Sequence, residues 1–421
     1  MKSIKNNVLK VCLFLFIVLQ LISCSDNQPT SPASAKDRAA RWGEDIDYLG
    51  SQLKSNQLNF SSLVSVQTFD NALYDIKNSV DSLQDYEILI RLQQIVASLH
   101  IAHTTLYPPS IEKFHFLPIY AVTFSDGFYI VMTDNKNTSL LGKKIIKAGN
   151  SDIAAVKDSL KKMIAYENNY WADYQFSGAF GLVEALKFYG FSESLSQVEL
   201  EIEGIGKVTL NSIEQYYSNF TYGYKSVLEG KTLPLYLQNY SSYYWDTYLA
   251  PNKTFYIAYN KCSNASNISF AAFTDNIKNF IASNEVDKVV IDLRNNGGGN
   301  SSIMDPLLSY LQNSVFNQSG KLFVIIGNHT FSSALLNAIS FKQNTKCLLV
   351  GEPTGGKPNC YGEARTFTLP NSGITTQYCV KYFSPVSGNP ESLSPDSYVG
   401  LTGQDYINGR DPVLDFILNY K

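Results

Sequence analysis

The chain has 421 residues, 44% of them hydrophobic and 17% charged, and its 34 Lys and Arg against 37 Asp and Glu give a formal net charge of −3. That balance excludes a disordered chain, which carries fewer apolar and more charged residues, and a nucleic-acid binder, which needs a positive excess to neutralise phosphate. At roughly 100 to 200 residues per domain the length suggests two or three domains, and neither collagen-like nor low-complexity architecture fits an ordinary Gly and Pro content.

At the front, Lys2, Lys5 and Lys10 precede an apolar run over residues 11 to 22, too short to span a bilayer but suited to the centre of an export signal. The run ends at Leu21-Ile22-Ser23-Cys24, which resembles a bacterial lipobox in which Cys24 becomes the lipidated first residue. This predicts a lipoprotein signal peptide over 1–23, a polar linker over 24–36 and a body held in the bacterial cell envelope by a lipid anchor in the membrane. Removing residues 1–23 takes away three Lys and no acid, so the net charge moves from −3 to −6. No later stretch reads as membrane-spanning.

Residues 37–104 read as helical, with apolar residues recurring at three and four over 39–53 and 86–99. A middle region over 105–250 opens with short strands at 120–124, 127–132 and 144–148 and a helix at 153–164. Their order resembles a small PDZ-like module in permuted form, and a plain αβ subdomain fits as well. The following stretch is dense in aromatics, such as Tyr170-Trp171 and Tyr243-Tyr244-Trp245, which read as core or interface packing rather than a ligand platform. From 251 to 421, β-branched strands at 254–259, 288–293, 322–326 and 347–350 alternate with helices at 270–282, 303–312 and 333–342. This is the pattern of an α/β domain whose parallel-rich sheet is flanked by helices on both faces. Strands at 366–369 and 377–383 and a helix at 413–418 complete it.

Beyond the front segment there are four cysteines, Cys262, Cys347, Cys360 and Cys379. Two disulfides or four buried thiols fit equally. No Cys-x-x-Cys occurs and the histidines lack metal-ligand spacing, so no metal site is expected.

In open α/β sheets the reactive crevice lies beyond the carboxyl ends of the strands, and three loops there are unusual. The first, Asp292-Leu293-Arg294-Asn295-Asn296-Gly297-Gly298-Gly299-Asn300, has three glycines that can bare backbone N–H groups to an anion, with Asp292 and Arg294 as a bracing pair. The second, Asn328-His329-Thr330-Phe331-Ser332-Ser333-Ala334, places a serine at a strand-to-helix turn, either as a helix cap or as an exposed nucleophile beside a positive helix end. Position alone does not decide between Ser332 and Ser333. The third, Gly351-Glu352-Pro353-Thr354-Gly355-Gly356-Lys357-Pro358, carries a lysine able to act as a base if desolvated. Nucleotide binding fits poorly, because Lys225 stands where a Walker loop ending at Gly230-Lys231-Thr232 needs glycine.

In this order and spacing, VVIDLRNNGGG, TFSSA and VGEPTGGK resemble the C-terminal processing and tricorn-type serine peptidases, chiefly from residue 254 onward. The resemblance implies a crotonase-like peptidase core, Ser332 as nucleophile, the backbone N–H groups of Ser333 and Gly298 as oxyanion hole, a protein or peptide substrate, and neither cofactor nor metal. It offers two bases. Lys357 follows Ser332 by 25 residues, as in the processing branch, and His103, before the PDZ-like region, matches the histidine of tricorn-like members better than His100 does. Leu335 and Pro358 depart from the first branch, which has glutamate and glycine there. Ala102 departs from the second, in which a serine precedes the histidine, and Glu391 only approximates its late glutamate. Thr104 and Glu391 are the candidates for orienting the histidine. An unperturbed pKa of about 6.5 favours His103 as base over Lys357, which would have to be shifted by several units. The same departures suit an alternative, a catalytically inactive peptide- or glycan-binding lipoprotein on this fold. An esterase is disfavoured because no G-x-S-x-G elbow is present.

Overall fold

The β-branched runs of the last third assemble into one sheet in the order Ser397–Tyr398, Leu348–Gly351, Leu322–Ile326, Lys288–Asp292, Thr254–Tyr259, Tyr244–Leu249. All neighbours are parallel except Tyr244–Leu249, which runs antiparallel to Thr254–Tyr259. The computed structural model describes residues 37 to 109, 114 to 214 and 223 to 421, so the expected signal peptide, Cys24 and the linker to residue 36 lie outside the described residues. Among those described, no helix is long and apolar enough to cross a membrane.

Side chains alternate across each strand, and both faces are covered. On one face Phe255, Ile257, Ile291 and Val324 share a core with Phe273, Ile277, Leu311 and Phe341 of the crossover helices Phe270–Ser283, Asp305–Gln312 and Ser333–Asn344. On the other, Tyr256, Val290, Phe323 and Ile325 meet Val413, Leu414 and Ile417 of helix Pro412–Leu418. The helix expected from 303 begins instead as a 3₁₀ turn, Ser301–Met304, with Pro306 opening the α-helix that follows.

The two late strands are longer than their apolar runs suggested. Cys360–Thr368 and Thr375–Phe383 pair as a hairpin, and Thr105–Tyr107 adds to it antiparallel, Thr105 opposite Gln377. Beneath this small sheet, Leu369, Ile374 and Cys379 share a core with Leu49, Leu73, Leu92 and Val96 of helices Arg38–Asn56, Val66–Ser79 and Asp85–Ala97. The helical front is thus packed against the C-terminal third. The middle region forms two further antiparallel sheets, one from Ile119–Phe124, Gly127–Thr133 and Lys225–Ser226, the other from Ile145–Ala148, Ser151–Asp152, Gln197–Ile202 and Gly206–Asn211. The expected helix over 153–164 stops at Leu160 and tightens into a 3₁₀ turn. The aromatic stretch contributes helices Asn169–Gly181 and Val183–Phe188.

All four described cysteines are buried free thiols, so the disulfide alternative does not hold. Cys262 and Cys347 belong to the main-sheet core and Cys379 to the core under the hairpin.

Asp292 and Arg294 do brace the first loop, together with a partner from the C-terminus. Arg294 grips Asp411 through two bonds of 2.9 and 2.8 Å while its Nε lies 3.0 and 2.9 Å from the Asp292 oxygens. Both carboxylates are buried, at 3% and 6% exposure. Removing one member of such a cluster strands the remaining charges away from water. Arg294→Met is therefore expected to lower the free energy of unfolding by about 3–5 kcal/mol, read from guanidinium denaturation.

Candidate active site

The loops after Lys288–Asp292, Leu322–Ile326 and Leu348–Gly351 converge at the carboxyl edge of the sheet. The second loop is stitched to the first: Phe331 N–H donates to the Asn296 carbonyl at 3.1 Å and the Thr330 hydroxyl to the Leu293 carbonyl at 3.0 Å. Ser332 then turns the chain into helix Ser333–Asn344 with φ 53° and ψ −126°. A non-glycine residue in that region carries strain of about 1–3 kcal/mol and persists only where its surroundings impose it. Although Ser332 occupies the N-cap position, its side chain makes no capping bond. Its Oγ instead lies 3.0 Å from Nε2 of His103. The Ser333 hydroxyl is spent on the Gly299 carbonyl at 2.7 Å. The two serines are thereby distinguished: Ser332 presents a hydroxyl and Ser333 presents a backbone amide from the unpaired first turn of the helix.

Gly298 and Gly299 hold φ of 113° and 135°. A Cβ on Gly298 would come within 2.7 Å of the Ser332 Cβ, and one on Gly299 within 2.3 Å of the Cys262 carbonyl oxygen. Glycine is required here by both conformation and contact. The Gly298 amide adjoins Ser332, yet it donates to Asn296 Oδ1 at 2.9 Å, an interaction that nothing in the sequence pattern indicated.

His103 reaches the site because it lies two residues before the strand that joins the hairpin. Gln377 Nε2 donates to the His103 carbonyl at 2.6 Å. The Thr104 hydroxyl donates to Gln57 Oε1 at 2.9 Å, and that oxygen also accepts the Cys379 amide at 3.0 Å. Thr104 therefore anchors the loop and does not hold the imidazole, which corrects the expectation for it. Glu391 does not hold it either: its carboxylate pairs with Lys357 Nζ at 3.3 Å and is 72% exposed. The second ring nitrogen, His103 Nδ1, is enclosed and bonds to no side chain. Desolvation pushes the imidazole pKa down to about 4, opposed by a backbone contact with Tyr361.

Lys357 Nζ bonds Glu391 Oε1, whereas the Ser332 hydroxyl bonds His103. What the third loop contributes is its glycines. A Cβ on Gly355 would sit 2.0 Å from the Asn328 carbonyl oxygen and 2.9 Å from the Trp171 ring, and one on Gly356 would sit 2.7 Å from Leu335. The glycines of the GGK run thus let this loop pack closely on the loop that carries Ser332. Sequence reasoning missed Glu167, whose carboxyl faces the amides of Lys357 and Ala102. Burial raises its pKa to about 8, so it is held protonated near neutrality. Only its place among the aromatics marked this residue, and that was no usable signal.

An aromatic column backs the imidazole. His103 stacks on Phe331 with centroids 4.5 Å apart, Phe331 on Trp171 at 4.0 Å, Trp171 on Tyr174 at 5.3 Å, and Tyr174 on His329 at 4.3 Å. His329 is desolvated as well, with a pKa lowered to about 4. Among the described residues no group of three or more His, Cys, Asp or Glu could hold a metal ion.

No family model matches the chain, and no curated protein matches it. Solved structures do. Mature CPAF complexed with lactacystin aligns with a TM-score of 0.60 at 13% identity, over 90% of this chain and 99% of that one. Mature CPAF alone gives 0.60 at 14% identity, over 90% and 98%. The photosystem II D1 C-terminal processing protease gives 0.40 at 14%, over 85% and 93%. The fold is therefore a mixed α/β arrangement shared with mature CPAF along nearly its whole length.

Because the neutral imidazole is the form able to accept the Ser332 proton, labelling of Ser332 by a fluorophosphonate should lose half its rate near pH 4. Intact-mass kinetics across pH would detect a midpoint at 6.5 instead if the ring were solvated. The lowered pKa values of His103 and His329 also mean that the unfolded chain binds protons first, so stability is lost as pH falls from 6.5 through about 4.

Proposed function

We propose that this protein is a serine endopeptidase of the C-terminal processing and tricorn type, held in the bacterial cell envelope by a lipid on Cys24. The observation that carries the reading is the 3.0 Å contact between His103 Nε2 and a Ser332 hydroxyl that its own helix does not use as a cap. In this mechanism Ser332 Oγ forms a bond to the peptide carbonyl carbon as its proton passes to Nε2. The tetrahedral oxyanion is received by the Ser333 amide and by the Gly298 amide once the latter exchanges Asn296 Oδ1 for it. Collapse breaks the C–N bond, and the imidazolium returns its proton to the leaving amine. Water then repeats the sequence on the acyl-enzyme. Lys357 and Glu391 act as a loop brace. The crotonase-like description of the core fits its consecutive parallel strands, and the small sheet built on Ile145–Ala148 is the part proposed as PDZ-like, able to dock an extended peptide.

Ser332→Ala and His103→Ala should each lower casein hydrolysis by about 10³-fold or more, with folding unchanged by circular dichroism. Lys357→Ala should stay within about threefold of wild type, since a salt bridge with an exposed partner contributes on the order of 1 kcal/mol or less. Full turnover by Ser332→Ala would end this reading, and a silent Lys357→Ala beside an active His103→Ala would transfer the base to lysine.

A further inference from the structure

A cavity of about 470 Å³ opens beside the nucleophile, with Ser332, His103 and Gly297 among the residues that line it. Its walls come from three separate parts of the fold: Leu89 and Ile90 of the helical front, Leu106 of the added strand, and Met163, Trp171 and Leu182 of the middle region. Two of the polar groups in the wall are already engaged. Glu184, 2% exposed, accepts the His115 amide at 3.0 and 3.1 Å and meets its ring nitrogen at 2.8 Å. Gln93 donates to Thr105 Oγ1 at 2.9 Å and accepts the Leu106 amide at 3.3 Å. A charged side chain entering this space would surrender its water, and the one carboxylate in the wall is already engaged by His115. An apolar one would be gaining burial against aromatic and aliphatic surface. The volume lies within the range of ligand pockets and far exceeds what a methyl or hydroxymethyl group fills.

We propose that this cavity is the specificity pocket for a residue adjoining the scissile bond, and that it selects a bulky apolar side chain, aromatic or branched aliphatic. The proposal rests on the serine-peptidase reading above and adds the substrate class to it. The pocket's continuity with the Ser332 hydroxyl limits its occupant to a group only a few bonds from the attacked carbonyl. Wall residues drawn from the front, the middle and the last third make the preference a property of the assembled chain.

The test is a set of quenched-fluorescent peptides in which the residue on either side of one bond is varied among Phe, Leu, Ala, Asp and Lys, run beside casein with wild type and Ser332→Ala. Cut positions are read by mass spectrometry. At one of the two positions Phe or Leu should exceed Ala in kcat/KM by about 10-fold or more, and Asp or Lys by about 100-fold. Ala179, which lines the cavity from helix Asn169–Gly181, provides the filling variant. Ala179→Trp, checked for folding by circular dichroism, should erase most of that preference. Ser332-dependent cleavage with a flat profile, a preference for Asp or Lys, or casein cuts lacking a bulky apolar neighbour would overturn the pocket assignment and leave the peptidase reading standing. So would a folded Ala179→Trp that keeps the wild-type preference. If wild type cleaves neither casein nor any peptide and Ser332 resists the fluorophosphonate, the peptidase reading falls first and the pocket assignment falls with it.

Discussion

His103 and the serine it touches are 229 residues apart, and a strand of three residues carries the imidazole across. Closing a loop of that length costs on the order of 5 kcal/mol by the logarithmic chain-entropy estimate. The few hydrogen bonds of Thr105–Tyr107, each contributing about 1 kcal/mol net, do not comfortably offset it. The larger contribution comes from the helices just before the strand. Leu49, Leu53, Ile88, Leu92 and Val96 are each at 0% exposure in a core that includes the hairpin's own residues. At about 1.5–3 kcal/mol for each such side chain, that core can hold the strand in register. The helical front therefore helps to hold His103 beside Ser332, although its helices supply neither residue.

Holding the imidazole is a different matter from tuning it. In a Ser-His-Asp arrangement a carboxylate on the second ring nitrogen fixes the tautomer and stabilises the imidazolium. Here no carboxylate is bonded to that nitrogen, and a face of the ring is carried by Phe331 and the column behind it. Stacking of this kind contributes about 0.5–1.5 kcal/mol per pair and fixes orientation, but it supplies no counter-charge. Desolvation without that charge is what lowers the imidazole to about 4. The ring is neutral, and so able to accept a proton, over a wide pH range. As a base it is weaker than a carboxylate-backed histidine.

Much of the last third was legible because strands buried on both faces must be written as unbroken apolar runs, and three of them feed loops of unusual composition. The added strand was not, since Thr105–Tyr107 is too short to show a period and is followed by Pro108-Pro109. Helix Asn169–Gly181 was hidden for a related reason: Trp171, Ala172, Phe176, Ser177 and Phe180 are buried in patterns that give no single apolar stripe. Within the site, residue types and spacing pointed to Ser332, Gly298 and His103, which the fold brings together, but not to the partners of their neighbours. Thr104 bonds Gln57 and Lys357 pairs with Glu391, whereas Trp171, which looked like packing, stacks on the Phe331 ring that lies against His103. A side chain's partner across two hundred residues is a property of the folded chain, and local sequence carries no record of it.

The engaged Gly298 amide completes the physical picture. In the resting site it donates to the neutral amide oxygen of Asn296. A hydrogen bond to an ionised oxygen is roughly twice as strong as one between neutral groups, and a water-excluding cavity strengthens it further. A substrate carbonyl, neutral before attack, has little advantage over Asn296 Oδ1 as an acceptor. The oxyanion formed on attack has a large one. In the proposed mechanism the exchange is driven by charge that exists only near the transition state, and binding energy withheld from the ground state is released where it lowers the barrier. The apolar surroundings that weaken His103 as a base are the same surroundings that make this late hydrogen bond strong, so one desolvated pocket sets both sides of the proton transfer.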